Sequence, residues 1–142
     1  MNNAANTKIY QTPIAQVTKS NQIIHVKLNA GLTELLFPKN ILLHFDILEE
    51  ITEGIKHAFI INVDNVQPII VPKKTRELIN KLYYKYATCN AFVSKDSRLN
   101  FMINLYFKLA PTRVPMKIFK SREDANEWTI GEHMKNQFQI SF

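Results

Sequence analysis

AFIINV, residues 58–63, is a short apolar run broken only by Asn62 near its end. It is too brief for a stable helix and lacks the alternation of a strand with one wet face. Such a run suits a strand covered on both sides, as in a sheet with helices above and below. CNAFV, residues 89–93, has the same character, and MKIF at 116–119, led in by Pro115, reads as the last core strand.

The segments between these runs carry helical periodicity. Asn40 could cap a helix running to about Glu53, with Leu43, Ile47, Leu48 and Ile51 inward and Gly54 ending it. Pro72 opens a second helix, where a fixed φ and a missing N–H cost nothing, and Leu78, Ile79, Leu82 and Tyr86 form its inward stripe. Asp96 or Ser97 can cap a third, from Arg98 to about Ala110, with Leu99, Met102, Leu105, Tyr106 and Leu109 facing in and Pro111 as its stop. Ser121 with Asp124 three residues on has capping-box spacing for a fourth, pinned by Ala125 and Trp128 and ending at Gly131. Beyond it QFQISF alternates, which predicts an edge strand or a segment that packs on another subunit.

Upstream, residues 15–18 and 22–28 flank Ser20-Asn21 and read as a hairpin, with Ile24, Val26 and Leu28 on one side of the pleat and Ile23, His25 and Lys27 on the other. A hairpin followed by strands alternating with helices predicts an α/β sandwich on a mixed sheet of four to five strands, parallel among the later ones because each is joined through a crossover helix. Residues 1–12 read as a flexible polar lead-in and 13–142 as one domain, the usual size for a single core.

Composition narrows the class further. Hydrophobic residues at 46%, charged residues at 21% and only three glycines describe an ordinary globular chain. The opening residues lack a signal peptide's basic and apolar regions, and no stretch has 18 consecutive apolar residues, so neither secretion nor membrane spanning is expected. One cysteine, Cys89, cannot form an internal disulfide, and the cytoplasm is the expected compartment. The net charge of +6 is uneven. Residues 1–71 hold five Lys against six acids, and residues 72–142 hold thirteen Lys or Arg against six. Such asymmetry serves solubility or an anionic partner.

Reactive chemistry is hard to find. The histidines at 25, 44, 57 and 133 show no metal-ligand spacing and have no cysteine partner at such a spacing, so no metal or other cofactor is expected. Cys89 falls within an apolar strand and reads as a small buried hydrophobe. Glycines only at 31, 54 and 131 leave no phosphate loop and no nucleophile elbow. No catalytic set emerges, and the chain is read as a non-enzyme.

Two segments carry sharper hypotheses. PKKTRE, residues 72–77, sets Lys73, Lys74, Thr75 and Arg76 in the first turn of a helix, where the dipole already contributes positive potential. Basic residues there suggest an anion site built with helix N–H groups; an exposed, solvent-screened turn is the competing account. KLYYKYA, residues 81–87, interleaves Tyr with Lys as a single-strand nucleic-acid surface would. Helical spacing instead buries Leu82, Tyr83 and Tyr86 with Lys81 and Lys85 snorkelling, so nucleic acid is disfavoured.

From AFIINV through PKKTRELI, and again through FKLAPTRVPMKIF at 107–119 to the capped DANEW at 124–128, the chain resembles uncharacterised bacterial STAS-like proteins with the SpoIIAA-like fold. The resemblance covers residues 58–128 well and the hairpin loosely. It implies a sheet with helices and a role in binding rather than catalysis. In anti-sigma-factor antagonists of that fold, a phosphorylated serine opens the helix after the strand. Here IIVPKK, residues 69–74, has no serine, and Thr75 falls later, inside the helix. Two functions follow as expectations. The first is a non-catalytic regulatory or protein-interaction module that pairs with a protein partner or self-associates as a homo-oligomer, with Phe138, Ile140 and Phe142 as contact residues. The alternative is a carrier or sensor of a small anionic or apolar ligand such as a lipid or nucleotide.

Overall fold

The computed structural model describes residues 8–29, 37–64, 66, 71–109 and 113–141, the side chains of 106–109 and 138–141 excepted. Six strands form one mixed sheet in sequential order: β1 (Tyr10–Gln11), β2 (Ala15–Ser20), β3 (Ile23–Leu28), β4 (His57–Asn62), β5 (Ala87–Val93) and β6 (Met116–Phe119). β1, β2 and β3 pair antiparallel, and β3 through β6 pair parallel. The helices are α1 (Pro38–Thr52), α2 (Lys73–Tyr86), α3 (Ser97–Leu109) and α4 (Arg122–Ser141).

The sheet thus has one strand more than the sequence predicts. β1 is two residues long, too short for a period to show, and is held by Thr12, whose Oγ1 accepts the Ile14 and Ala15 amides at 3.2 and 2.9 Å. The β2–β3 hairpin is as read: Val17 faces Val26 and Thr18 faces His25, with Asn21 at φ 57° in the turn.

Strand order decides which face each helix covers. Right-handed crossovers that always step the same way along a sheet leave their helices on one side of it. α1, α2 and α3 join β3–β4, β4–β5 and β5–β6 in that manner, and their buried residues share one cluster: Ile41, Phe45 and Leu48 of α1, Tyr83 and Tyr86 of α2 and Leu99 of α3, on Val17, Ile24, Val26, Phe59 and Ile61. Phe45 meets Tyr83 edge-on at 5.0 Å, and Phe59 meets Tyr83 edge-on at 5.6 Å. Each side chain buried as fully as Phe59 or Leu48 is worth about 1.5–3 kcal/mol. α4 leaves the last strand and packs across the opposite face on β4, β5 and β6, where Ile60, Ala91, Val93 and Ala125 are buried beside Phe119 and Trp128.

Several boundaries depart from expectation. α1 starts at Pro38 rather than after an Asn40 cap, because Pro38 is already suited to the first helical position; the core face is then Ile41, His44, Phe45 and Leu48, and Leu43 is exposed. In α3, Asp96 is the cap, its Oδ1 accepting the amides of Arg98 at 2.9 Å and Leu99 at 3.4 Å. Leu99 is buried there but Leu105 is outward, while Ile103 packs on the core instead. The side chains of Tyr106 and Leu109, and the Pro111 stop, lie outside the described residues. α4 does not end at Gly131 but runs on to Ser141, so QFQIS is helical and not an edge strand. A lone glycine costs a helix only about 1 kcal/mol, which the packing of Thr129 and His133 outweighs.

Candidate functional site

The four residues expected to form an anion site occupy the first turn of α2 and point different ways. Lys73 and Lys74 are exposed, and Lys73 Nζ lies 3.9 Å from Glu77 one turn on. Thr75 is buried at 1% exposure. Arg76 folds back and donates from Nη1 to the Val71 carbonyl at 3.0 Å. Pro72 holds the N-cap position and supplies no side-chain bond. The Thr75 hydroxyl is inaccessible to a kinase unless this turn opens.

The Tyr-Lys segment of α2 is core at two of its three tyrosines. Tyr83 and Tyr86 are buried, and Tyr84 is on the surface beneath the Lys56 ammonium and the Arg113 guanidinium, 4.7 and 5.3 Å from its centroid. That arrangement stacks the outer ring on the protein's own cations.

Burial lowers the pKa of all four histidines. His44 is the deepest, with Nδ1 2.8 Å from Thr12 Oγ1 and Nε2 without a partner, and burial pushes its pKa down to about 4. His57 donates to the Ile55 carbonyl at 2.7 Å. His133 of α4 contacts Thr88 Oγ1 at 2.9 Å, and burial and nearby His57 lower its pKa. Cys89 is fully buried, and burial raises its thiol to about 11, the opposite of an activated nucleophile. Asn90 is also fully buried on β5, with neither amide atom paired. Among the described residues no group of three or more His, Cys, Asp or Glu is placed to hold a metal. Among the same residues no helix is long and apolar enough to cross a membrane.

A concave site does exist that no local sequence pattern announces. On the face that α4 partly covers, a groove of about 220 Å³ runs between the start of α4 and strands β2–β4. Alternation along β3 directs His25 and Lys27 to this side, Thr18 stands opposite His25 on β2, and Ile60 and Val93 form an apolar floor. Arg122, the first residue of α4, donates from Nη2 to His25 Nδ1 at 3.2 Å across 97 residues of sequence. A guanidinium can only donate, so Nδ1 is the acceptor and the ring proton sits on Nε2. Burial, then the Arg122 charge, holds the His25 pKa below its ordinary value. No acidic residue is among the described residues that line the groove. The hairpin pattern places His25 and Lys27 on one face; that Arg122 would meet them follows only from the path of α4 over the sheet.

Comparisons with known proteins place the chain among uncharacterised domains. No curated protein matches it. Among solved structures it is similar to an uncharacterized protein of the DUF3478 family with a SpoIIAA-like fold from Shewanella loihica PV-4, at 14% identity over 87% of this chain and 91% of that one, with a TM-score of 0.49. The family model described as a domain of unknown function, DUF7793, matches residues 18–130, and the chain therefore belongs to that family.

Proposed function

We propose that this protein is a non-catalytic interaction module of the cytoplasm that pairs with a second copy of itself through the outer face of α3. The observation that carries the reading is Phe101, 68% exposed, with Leu105 one turn further on at 46%. Residues four apart share a helix face, so the two make one apolar strip on the side away from the sheet. Among the described side chains the charge beside the strip is Arg98, whose guanidinium lies 3.9 Å from Asp96. The alternative contact residues Phe138 and Ile140 have side chains outside the described residues, and Phe142 lies outside them altogether. The absence of catalysis is supported by an unactivated thiol at Cys89 and by histidines whose pKa values burial lowers.

Native mass spectrometry and sedimentation across a concentration series test the pairing. The wild type should dimerise, and Phe101→Ser with Leu105→Ser should give a folded monomer with an unchanged circular dichroism spectrum, because neither side chain is buried in the fold. A wild type that stays monomeric at every concentration removes the reading.

A further inference from the structure

The groove beside α4 has the chemistry of a receptor, and it lies on the sheet face that α4 packs on, away from the cluster to which α3 contributes. We propose that it binds a small oxyanion, a carboxylate or phosphate with a short apolar portion, held by Arg122 and Lys27 over the floor of Ile60 and Val93.

Three observations converge on it. First, the charged groups that line the groove are both donors, and the amides of Gln16 and Asn62 line it beside them. Arg122 and Lys27 are cations, His25 carries its proton on Nε2 because Nδ1 accepts from Arg122, and Thr18 offers a hydroxyl. Second, the two cations are uncompensated. Among the described residues neither makes an ion pair, although Glu123 and Asp124 stand next to Arg122 in the first turn of α4. The Arg122 contact is with a neutral imidazole, which uses one of five N–H donors and cancels none of the charge. Protein walls of low dielectric concentrate that positive field in the concavity. Third, the volume suits a small guest. Pockets for drug-sized ligands run from roughly 300 to 1,000 Å³, and about 220 Å³ accommodates an anion with a few carbons.

NMR titration of the labelled full chain tests this at constant ionic strength set with chloride. Inorganic phosphate and butyrate are added separately, and vesicles bearing phosphatidic acid form a third arm. Saturable shifts at His25 and Arg122 side-chain signals with either soluble anion support the site, and which anion acts identifies the headgroup. Bound anion also favours protonated His25, so its pKa should rise on saturation. Arg122→Gln should weaken the affinity by about tenfold, the loss expected for one charge-assisted contact, and Lys27→Gln should weaken it as well. Both variants should melt as the wild type does. No saturable shift with either soluble anion overturns the proposal. So do shifts that survive Arg122→Gln unchanged, or a response to vesicles alone, which would mark a membrane surface instead.

Discussion

His44 shows how a single side chain ties stability to pH. It was legible in sequence only as an imidazole without metal spacing. Its depth follows from α1 starting at Pro38, which turns position 44 onto the core face between Ile41 and Leu48. Its folded-state pKa of about 4 lies below the ordinary 6.5, so between those values the unfolded chain takes up a proton that the folded chain refuses. Stability is therefore full above about pH 6.5 and falls as pH drops toward 4, by up to roughly 3 kcal/mol from this residue. Urea midpoints over that range should decline in the wild type and decline less in His44→Leu. Equal declines in the two proteins would place the acid sensitivity elsewhere. The other candidate residues divide by the same logic. Cys89 and the tyrosines of α2 were legible because apolar neighbours and periodicity fix their burial. The inward turn of Thr75 was not, since a first-turn threonine carries no period of its own.

At the scale of the element, interiors were easier to read than ends. The strand at 57–62 and the helix stripes of α2 announce themselves through repeated burial, and the caps Asp96 and Ser121 through side chains that bond the first free amides, Ser121 Oγ accepting Asp124 N–H at 3.2 Å. α4 misleads because Gly131 has the look of a stop and QFQISF the alternation of a strand, while the packing that overrides both lies on β4 and β5, distant in sequence. A helix continuous through Gly131 makes a clear prediction. Nothing lies within 4 Å of the position a Cβ would take there, so Gly131→Ala should raise stability by about 0.5–1 kcal/mol. Chemical denaturation measures it directly. A lower midpoint would mean that residue 131 ends the helix. α3 misleads for another reason: its sequence offers more apolar positions than one buried stripe can hold, and Phe101 and Leu105 are the surplus. That surplus is what the dimerisation experiment examines.

For the whole molecule, strand order carries the argument. Five spacings of about 4.8 Å make a six-stranded sheet roughly 24 Å wide, and one helix with its side chains spans about 10–12 Å. Three crossover helices can roof one face, whereas α4 alone roofs about half of the other. The uncovered half is the β2–β3 flank, where Gln16 and Lys27 are exposed and the groove opens at Arg122. The sequence showed the alternation of strands and helices and hence a sheet with later parallel strands. The uneven roofing depends on handedness and on the direction α4 takes after β6, which no local pattern records.

Adjacent positions on β2 test that asymmetry most directly. Gln16 faces the open flank and Val17 the helix-covered core, and the native Cys89 is a buried, unreactive internal control. In folded protein, Gln16→Cys should react with a maleimide at close to the rate of a free thiol, and Val17→Cys should react only on unfolding. Protection of both thiols, or rapid labelling of both, would contradict a sheet with one roofed and one half-open face.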